Sequence, residues 1–201
     1  MTIKHYHGSP AILSKMHIKN ALKRLGDLLQ EQNEHVELVT AGGVISVLLF
    51  GSRNMTRDID AIFPDKQRDL LVTLIEQVSQ EQNLPGGKHA WLNDGVSFFG
   101  LETKSNNVVF RHSHLTLYSA SWYELLGMKL SGAWRRDSDF DDAIEILKKI
   151  GSKNKLDILK KSMRHKNFSP YIDDETYTRR FNRTWNDAYG ITIDNDTEIE
   201  N

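Results

Sequence analysis

The sequence predicts a mixed α+β fold, in which a mixed sheet is flanked by helices and followed by a helical C-terminal part. Segments of strand composition lie in the first 120 residues, and helical periodicity dominates the later ones. With 39% hydrophobic and 26% charged residues, a chain of 201 residues can bury a sizeable core. We therefore expect an α/β core over residues 1–120, a helical part over 121–190 packed on that core, and a flexible acidic tail over 191–201.

The first elements alternate between helix and strand. Ser9-Pro10 is typical of a helix start, with serine as the N-cap and proline at the first helical position, and apolar residues from Ile12 to Leu29 continue the helical spacing. Gly42-Gly43 and Pro64 are expected to interrupt regular secondary structure and so separate the next elements. The predicted elements are a strand at Val36 to Ala41, a helix at Val44 to Phe50, a strand at Arg57 to Phe63 and a helix at Asp69 to Gln82.

The later elements are two strands and then helices. The strands are expected at Val96 to Leu101 and at Val108 to Tyr118. Ser121 is the expected N-cap of the first C-terminal helix. The four helices are expected from Ser121 to Leu130, Phe140 to Ile150, Leu156 to Met163 and Asp174 to about Ala188.

Charge and composition exclude several classes of function. The chain contains no cysteine, so thiolate nucleophiles, disulfides and cysteine zinc sites are excluded. No apolar run approaches the roughly 20 residues of a spanning helix, and the N-terminus has no apolar signal core, so we expect a cytoplasmic protein with no membrane association. The net charge is −1, so any nucleic-acid binding would have to use a local patch.

Two clusters of polar residues have ambiguous roles. A basic run from Lys148 to Lys166 could follow an RNA backbone, although such a run is more often a solvated helical face. His112 and His114 alternate on a predicted strand and could bind a metal, but partly exposed strand residues are the commoner reading.

The carboxylates of Asp58 and Asp60 carry the strongest chemical signal. Alternate residues of a strand face the same way, so these two side chains should project from one face of an otherwise apolar strand. Two adjacent carboxylates repel each other unless a cation lies between them, and hard oxygen ligands suit Mg²⁺. Asp58 and Asp60 are therefore candidate metal ligands and catalytic residues, against the alternative of a solvated strand edge.

A second candidate group precedes the aspartates. Gly42-Gly43 lies between a predicted strand and a predicted helix, where glycine lets backbone amides approach a phosphate and the helix N-terminus favours its charge. The alternative is a simple tight turn. Arg53 and Arg57 could neutralise phosphate charge or merely solvate the loop, and Thr56 could bind through its hydroxyl.

This ordered combination resembles the signature of the minimal nucleotidyltransferase superfamily, which is related to DNA polymerase beta. Its spacing is similar to that of the toxin-like branch, with abortive-infection and mycobacterial nucleotidyltransferase toxins, and to that of lincosamide and aminoglycoside nucleotidyltransferases. The resemblance implies that residues 1–120 are the catalytic core. It also implies that Asp58 and Asp60 bind Mg²⁺ or Mn²⁺, and that Gly42, Gly43, Arg53 and Thr56 contact the nucleotide.

A downstream stretch, Tyr123 to Asp142, resembles the toxin-like pattern "Leu-Leu-x-x-Lys … Arg-Asp-x-x-Asp". That resemblance implies a catalytic Lys129 near the NTP phosphates, with Asp137 or Asp141 completing the acidic site or orienting the lysine. A solvated Lys129 is the alternative. Three residues are candidates for a third metal-binding carboxylate, namely Glu102, Asp94 and Asp141.

The expected function is Mg²⁺-dependent transfer of a nucleotide from an NTP to a hydroxyl group. The toxin-like resemblance implies an acceptor on RNA, such as a tRNA, or on protein, and an antitoxin partner of a toxin–antitoxin system. The alternatives are an antibiotic nucleotidyltransferase and a degenerate member that binds nucleotide without transfer.

Overall fold

The computed structural model describes residues 12–99, 101, 104–132, 137–166 and 172–191. The predicted mixed α+β class with a helical C-terminal part is confirmed. The chain divides into two compact units, Met1–Ala120 and Ser121–Asn201, which we call the first and second units. In its described residues the chain has no helix that is both long and apolar enough to cross a membrane.

The first unit combines helices with two sheets. Its elements in chain order are β1 (Leu13–Ser14), α1 (Lys15–Glu31), β2 (Val36–Ala41), α2 (Gly43–Ile45), a π-helical turn (Ser46–Phe50), β3 (Met55–Thr56), β4 (Ile59–Ile62), a 3₁₀ turn (Asp65–Gln67), α3 (Arg68–Gln82), a 3₁₀ turn (Gly87–His89), β5 (Leu92–Asn93), a 3₁₀ turn (Gly95–Phe99), β6 (Lys104–Arg111) and β7 (Leu115–Ala120).

The main sheet is mixed and has the strand order β5-β4-β2-β7-β6. Strand β2 pairs with β4 in antiparallel and with β7 in parallel orientation, whereas β4 and β5 are parallel. Along β2, Val36, Leu38 and Thr40 are fully buried, whereas Glu37 and Val39 on the other face are not. One face of the sheet therefore carries the core, and β4 lies between β2 and β5.

Helix α1 begins at Lys15, because the Ser14 hydroxyl caps it by accepting a hydrogen bond from the His17 N–H at 3.3 Å. The predicted start at Ser9-Pro10 lies outside the described residues. Leucines and isoleucine at helical spacing form the buried face of α1, whereas Ile12 precedes the helix. Arg24 on α1 makes an ion pair with Glu81 on α3 at 2.7 Å and joins the two helices.

Two predictions for the later strands are wrong. Residues 96–99, expected in a strand, belong to the 3₁₀ turn Gly95–Phe99. The single strand predicted at Val108 to Tyr118 is instead the antiparallel pair β6 and β7. His112 and His114 consequently lie in the connection rather than on a strand, and His112 Nε2 contacts Asp27 Oδ1 at 3.2 Å.

The second unit is helical throughout its described residues. It contains α4 (Trp122–Ser131), α5 (Asp137–Ile150), α6 (Lys155–Met163) and α7 (Asp174–Tyr189). Ser121 caps α4 as predicted, and it forms a capping box with Glu124. At the other end of α4, the Arg180 guanidinium donates to the carbonyls of Leu130 at 2.9 Å and Gly132 at 3.1 Å, so α7 satisfies terminal groups of α4.

Candidate functional site

Asp60 lies in the middle of the three strands β5, β4 and β2. It is paired with Ala41 on β2 and with Asn93 on β5. The Thr40 hydroxyl, which is buried, donates to the backbone carbonyl of Asp60 at 2.6 Å. The backbone that carries the Asp60 carboxylate is thus fixed on both sides, and its side chain is half-buried on the less buried face of β4.

Gly42 faces one oxygen of this carboxylate. Its backbone, with φ 77° and ψ −156°, lies in a region that is essentially restricted to glycine. A Cβ atom built on Gly42 would lie 2.9 Å from Asp60 Oδ2. The sequence therefore needs glycine here both for the turn after β2 and for the close approach to Asp60.

Gly95 faces the other oxygen. A Cβ atom built on Gly95 would lie 3.9 Å from Asp60 Oδ1 and 2.9 Å from Asn93 Oδ1. Both oxygens of Asp60 are therefore bordered by a glycine, at positions where a Cβ atom would approach the carboxylate. We call Gly42, Asp60 and Gly95 the glycine-flanked carboxylate.

Asp58 immediately precedes β4 and is half-buried. Its backbone carbonyl accepts a hydrogen bond from the Thr56 hydroxyl at 3.3 Å. Thr56 is itself held by the small sheet, in which it is paired with Leu13. The N-terminal strand β1 therefore helps to fix the approach to the aspartate pair.

The structure brings three other predicted site residues together. A Cβ atom on Gly43 would clash with the Thr56 hydroxyl and would lie 3.8 Å from a terminal nitrogen of Arg53. The backbone N–H of Arg53 donates to the carbonyl of Ser46 at 3.4 Å, which anchors the loop to the π-helical turn. Gly43, Arg53 and Thr56 thus border one side of the site, next to Gly42.

This arrangement suits a divalent cation in two respects. Asp58 and Asp60 supply hard carboxylate oxygens, and the flanking glycines leave space that a Cβ atom would fill. Within the described ranges, no group of three or more histidine, cysteine or acidic side chains is placed to hold a metal. A cation held by this pair would take its other ligands from water or from phosphate, as Mg²⁺ commonly does.

The third carboxylate suggested by the sequence is not identified. Glu102 lies outside the described residues. Asp94 makes an ion pair with Arg68, and Asp141 is exposed on α5 of the second unit.

Lys129 belongs to an acidic cluster of the second unit. Its Nζ lies 2.7 Å from both Asp139 Oδ1 and Asp142 Oδ2, and the Asp142 side chain is only 1% exposed. These carboxylates are not the predicted Asp137 or Asp141: Asp141 is exposed, and the Asp137 side chain is not among those described. Asp139 and Asp142 have the spacing of an Asp-x-x-Asp pattern, which on one helix places both side chains on the same face.

The basic run is largely exposed, but ion pairs occupy part of it. Three acidic residues each bind one of its lysines: Glu145 binds Lys148 at 3.0 Å, Asp157 binds Lys161 at 2.8 Å, and Asp174 binds Lys166. Lys153, Lys160 and Arg164 are exposed on the surface of the second unit. Among the described residues, these three are examples of cations that a phosphate backbone could reach.

The sequence analysis missed Asn93, Gly95 and Ser97. Asn93 Oδ1 accepts a hydrogen bond from the Gly95 N–H at 2.9 Å, and the Ser97 hydroxyl is buried with no hydrogen-bond partner among the described residues. The run Asn93-Asp94-Gly95 has turn composition and could have indicated a tight turn. Nothing in the sequence shows that this turn borders Asp60.

Comparisons with protein-family models, with curated proteins and with solved structures gave no match to this chain.

Proposed function

We propose that this protein is a magnesium-dependent nucleotidyltransferase, which transfers a nucleotide from an NTP to a hydroxyl acceptor. The observation that carries the proposal is the glycine-flanked carboxylate. Strand β2 is followed by the turn at Gly42 and by the helical residues 43–50, and this turn lies against Asp60 on the neighbouring strand β4. The sequence resemblance described above supports the same activity. Since its donor is an NTP, we expect the protein to act in the cytoplasm.

The glycine turn would hold the triphosphate. Gly42 precedes the helical residues 43–50 and Gly43 is the first of them, so their amides lie at a helix N-terminus, where phosphate charge is favoured. Arg53 borders the same turn and would neutralise further phosphate charge. Thr56 would position this side of the site through its contact with Asp58.

Asp58 and Asp60 would hold Mg²⁺, or Mn²⁺ in its place. The ion would supply charge stabilisation for the phosphoryl group during transfer. The protein would fix the direction of the Asp60 carboxylate through the pairing of β4 with β2 and β5. The two flanking glycines would place no Cβ atom against either carboxylate oxygen.

Lys129 would contribute only if the second unit presents it to the NTP. Its contacts with Asp139 and Asp142 hold it in a fixed position within that unit, which a solvated lysine would not have. Catalysis by Lys129 is thus part of the proposal that rests on the resemblance alone.

The proposal is tested by incubating the protein with each labelled NTP, Mg²⁺ and total cell RNA or lysate. We expect label in an acceptor with the wild-type chain and none with Asp58→Asn or Asp60→Asn. Asp65→Asn is the matched control, because Asp65 lies just after β4 and its side chain is 98% exposed. Equal labelling by Asp60→Asn and Asp65→Asn would overturn the proposal.

RNA is the first acceptor class to examine, because exposed cations lie on the second unit. If they contact RNA, replacing Lys153 and Lys160 with alanine should reduce the log–log salt dependence of binding by up to about 1.4 on single strands, at ~0.7 per phosphate contact. A slope unchanged by the double variant would contradict RNA contact there.

A further inference from the structure

A cavity in the first unit lies between α3 and the edge of the main sheet. Leu92 on β5 lines it, and Leu92 is paired with Ile59, which is fully buried and precedes Asp60 on β4. Because successive residues of a strand face opposite ways, this wall belongs to the core face of the sheet, and the Asp60 side chain projects from the other face. The cavity is therefore separate from the candidate nucleotide site.

The interior of the cavity is apolar and has the size of a single ring. Its volume is about 200 Å³. An apolar cavity of about 150 Å³ accommodates benzene, so this one accommodates a phenyl ring or a branched aliphatic side chain. Its walls include the apolar side chains of Phe63, Val72, Ile75, Ala90 and Leu92.

Two opposite charges line the cavity, Glu76 on α3 and Lys88 in the 3₁₀ turn before β5. Both residues are exposed, and neither has an ion-pair partner among the residues that the structure describes. The third charged residue of the lining, Asp94, is already paired with Arg68. A ligand with a carboxylate alone would be attracted by Lys88 and repelled by Glu76, and a ligand with an ammonium group alone would meet the reverse. A zwitterion matches both charges.

A hydrogen bond holds the two charged residues next to each other. Glu76 Oε2 accepts from the Gly87 N–H at 3.0 Å, so its carboxylate lies beside the backbone that carries Lys88. Gly86 permits this approach, because a Cβ atom there would lie 2.5 Å from Glu76 Oε2. An α-amino acid has its ammonium and carboxylate groups on one carbon atom, so it can face two charges that are placed in this way.

We propose that this cavity binds a free α-amino acid with an apolar side chain of the size of phenylalanine or leucine. The side chain of the ligand fills the apolar interior, while its carboxylate faces Lys88 and its ammonium group faces Glu76. Burial of the side chain gives most of the affinity, because an exposed ion pair contributes little. The site goes beyond the proposed nucleotide transfer and does not depend on it.

The test is titration of the full chain with L-phenylalanine and L-leucine, followed by nuclear magnetic resonance without NTP or Mg²⁺. We expect at least one of them to shift the backbone amides of Gly87 and Ala90, which line the cavity. Two analogues of that amino acid are then titrated, the acid without its ammonium group and the amine without its carboxylate. For phenylalanine these are 3-phenylpropanoate and 2-phenylethylamine. Each should bind about 2- to 5-fold more weakly than the amino acid, since each loses one exposed ion pair.

Val72→Trp should fill the cavity and weaken binding of the amino acid at least ~10-fold, because the ligand side chain can no longer be buried. The substitution should be tolerated, because Val72 is 55% exposed. Thr73→Trp is the matched control, since Thr73 is exposed on the same helix but does not line the cavity. Absence of shifts with both amino acids, or equal affinity for Val72→Trp and Thr73→Trp, would overturn the proposal.

Lys88→Gln tests the charge at the cavity. It should weaken binding of the amino acid about 2- to 5-fold but should not weaken binding of the amine, which has no carboxylate to lose a partner. Lys66→Gln is the control, because Lys66 is exposed before α3 and does not line the cavity. Equal affinity of the wild type for the amino acid and both analogues, or equal affinity of Lys88→Gln and Lys66→Gln for the amino acid, would overturn the assignment of a zwitterion.

Discussion

Substituting Gly42 with alanine tests the geometry at the centre of the candidate site. The backbone at Gly42 has φ 77° and ψ −156°, and a non-glycine residue in this region costs about 1–3 kcal/mol. The new Cβ would also lie 2.9 Å from Asp60 Oδ2, so the carboxylate would have to move. For a chain of this size each kcal/mol lowers Tm by roughly 2–4 °C, so a cost of ~2 kcal/mol predicts a fall of about 4–8 °C.

Thermal unfolding measures this effect, with Gly51→Ala as the matched control. Gly51 also has a positive φ, 69°, but a Cβ there would meet no atom within 4 Å. Gly42→Ala should be the more destabilising of the two, and removing the carboxylate with Asp60→Ala should recover part of the difference. A Gly42→Ala variant no less stable than Gly51→Ala would refute the proposed contact with Asp60.

Two further predictions concern ion pairs. The Arg24 guanidinium lowers the pKa of Glu81 from 4.5 to about 2, so this stabilisation is present above pH 4.5 and is lost as the pH falls towards 2. Urea unfolding should show Glu81→Gln less stable than wild type at pH 7 and closer to it at pH 3, and a constant difference would contradict the ion pair. Lys129→Met should destabilise the second unit by about 3 kcal/mol, because it leaves the buried Asp142 carboxylate without its cation. In an Asp142→Asn background, Lys129→Met should lower the free energy of unfolding in urea by less than it does in the wild type. If the losses of the two single variants simply add in the double variant, Lys129 and Asp142 are not coupled.

Much of the fold could be predicted from periodicity and from caps. The strand Val36–Ala41 and the Ser121 cap were placed correctly, because alternating burial and side-chain capping are local properties. The 3₁₀ turn Gly95–Phe99 was mistaken for a strand, because a short apolar run has the same composition in both. The connection between β6 and β7 was missed since His112 to His114 contain neither glycine nor proline.

The candidate site was predictable only where its residues are close together in the sequence. Gly42, Gly43, Arg53, Thr56 and the aspartates lie within one stretch of sequence, so their proximity follows from local geometry.

Other contacts depend on sheet order and helix phase. The position of Asn93 beside Asp60 depends on the pairing of β5 with β4, which the sequence does not reveal. The sequence suggested Asp137 or Asp141 as the partner of Lys129, whereas its contacts are with Asp139 and Asp142. Helical spacing could not identify them, because α4 ends at Ser131 and a separate helix, α5, begins at Asp137.

The most direct test of the central claim is Mg²⁺-dependent NTP binding at Asp60. Each of the four NTPs is titrated by calorimetry into the wild-type chain and the Asp60→Asn and Asp65→Asn variants, with Mg²⁺ or with EDTA. We predict that at least one NTP binds the wild type and Asp65→Asn with Mg²⁺, and that binding falls at least ~10-fold in Asp60→Asn and in EDTA. Equal affinity in Asp60→Asn and Asp65→Asn, or binding unaffected by EDTA, would contradict the assignment of Asp60 as a metal ligand at a nucleotide site.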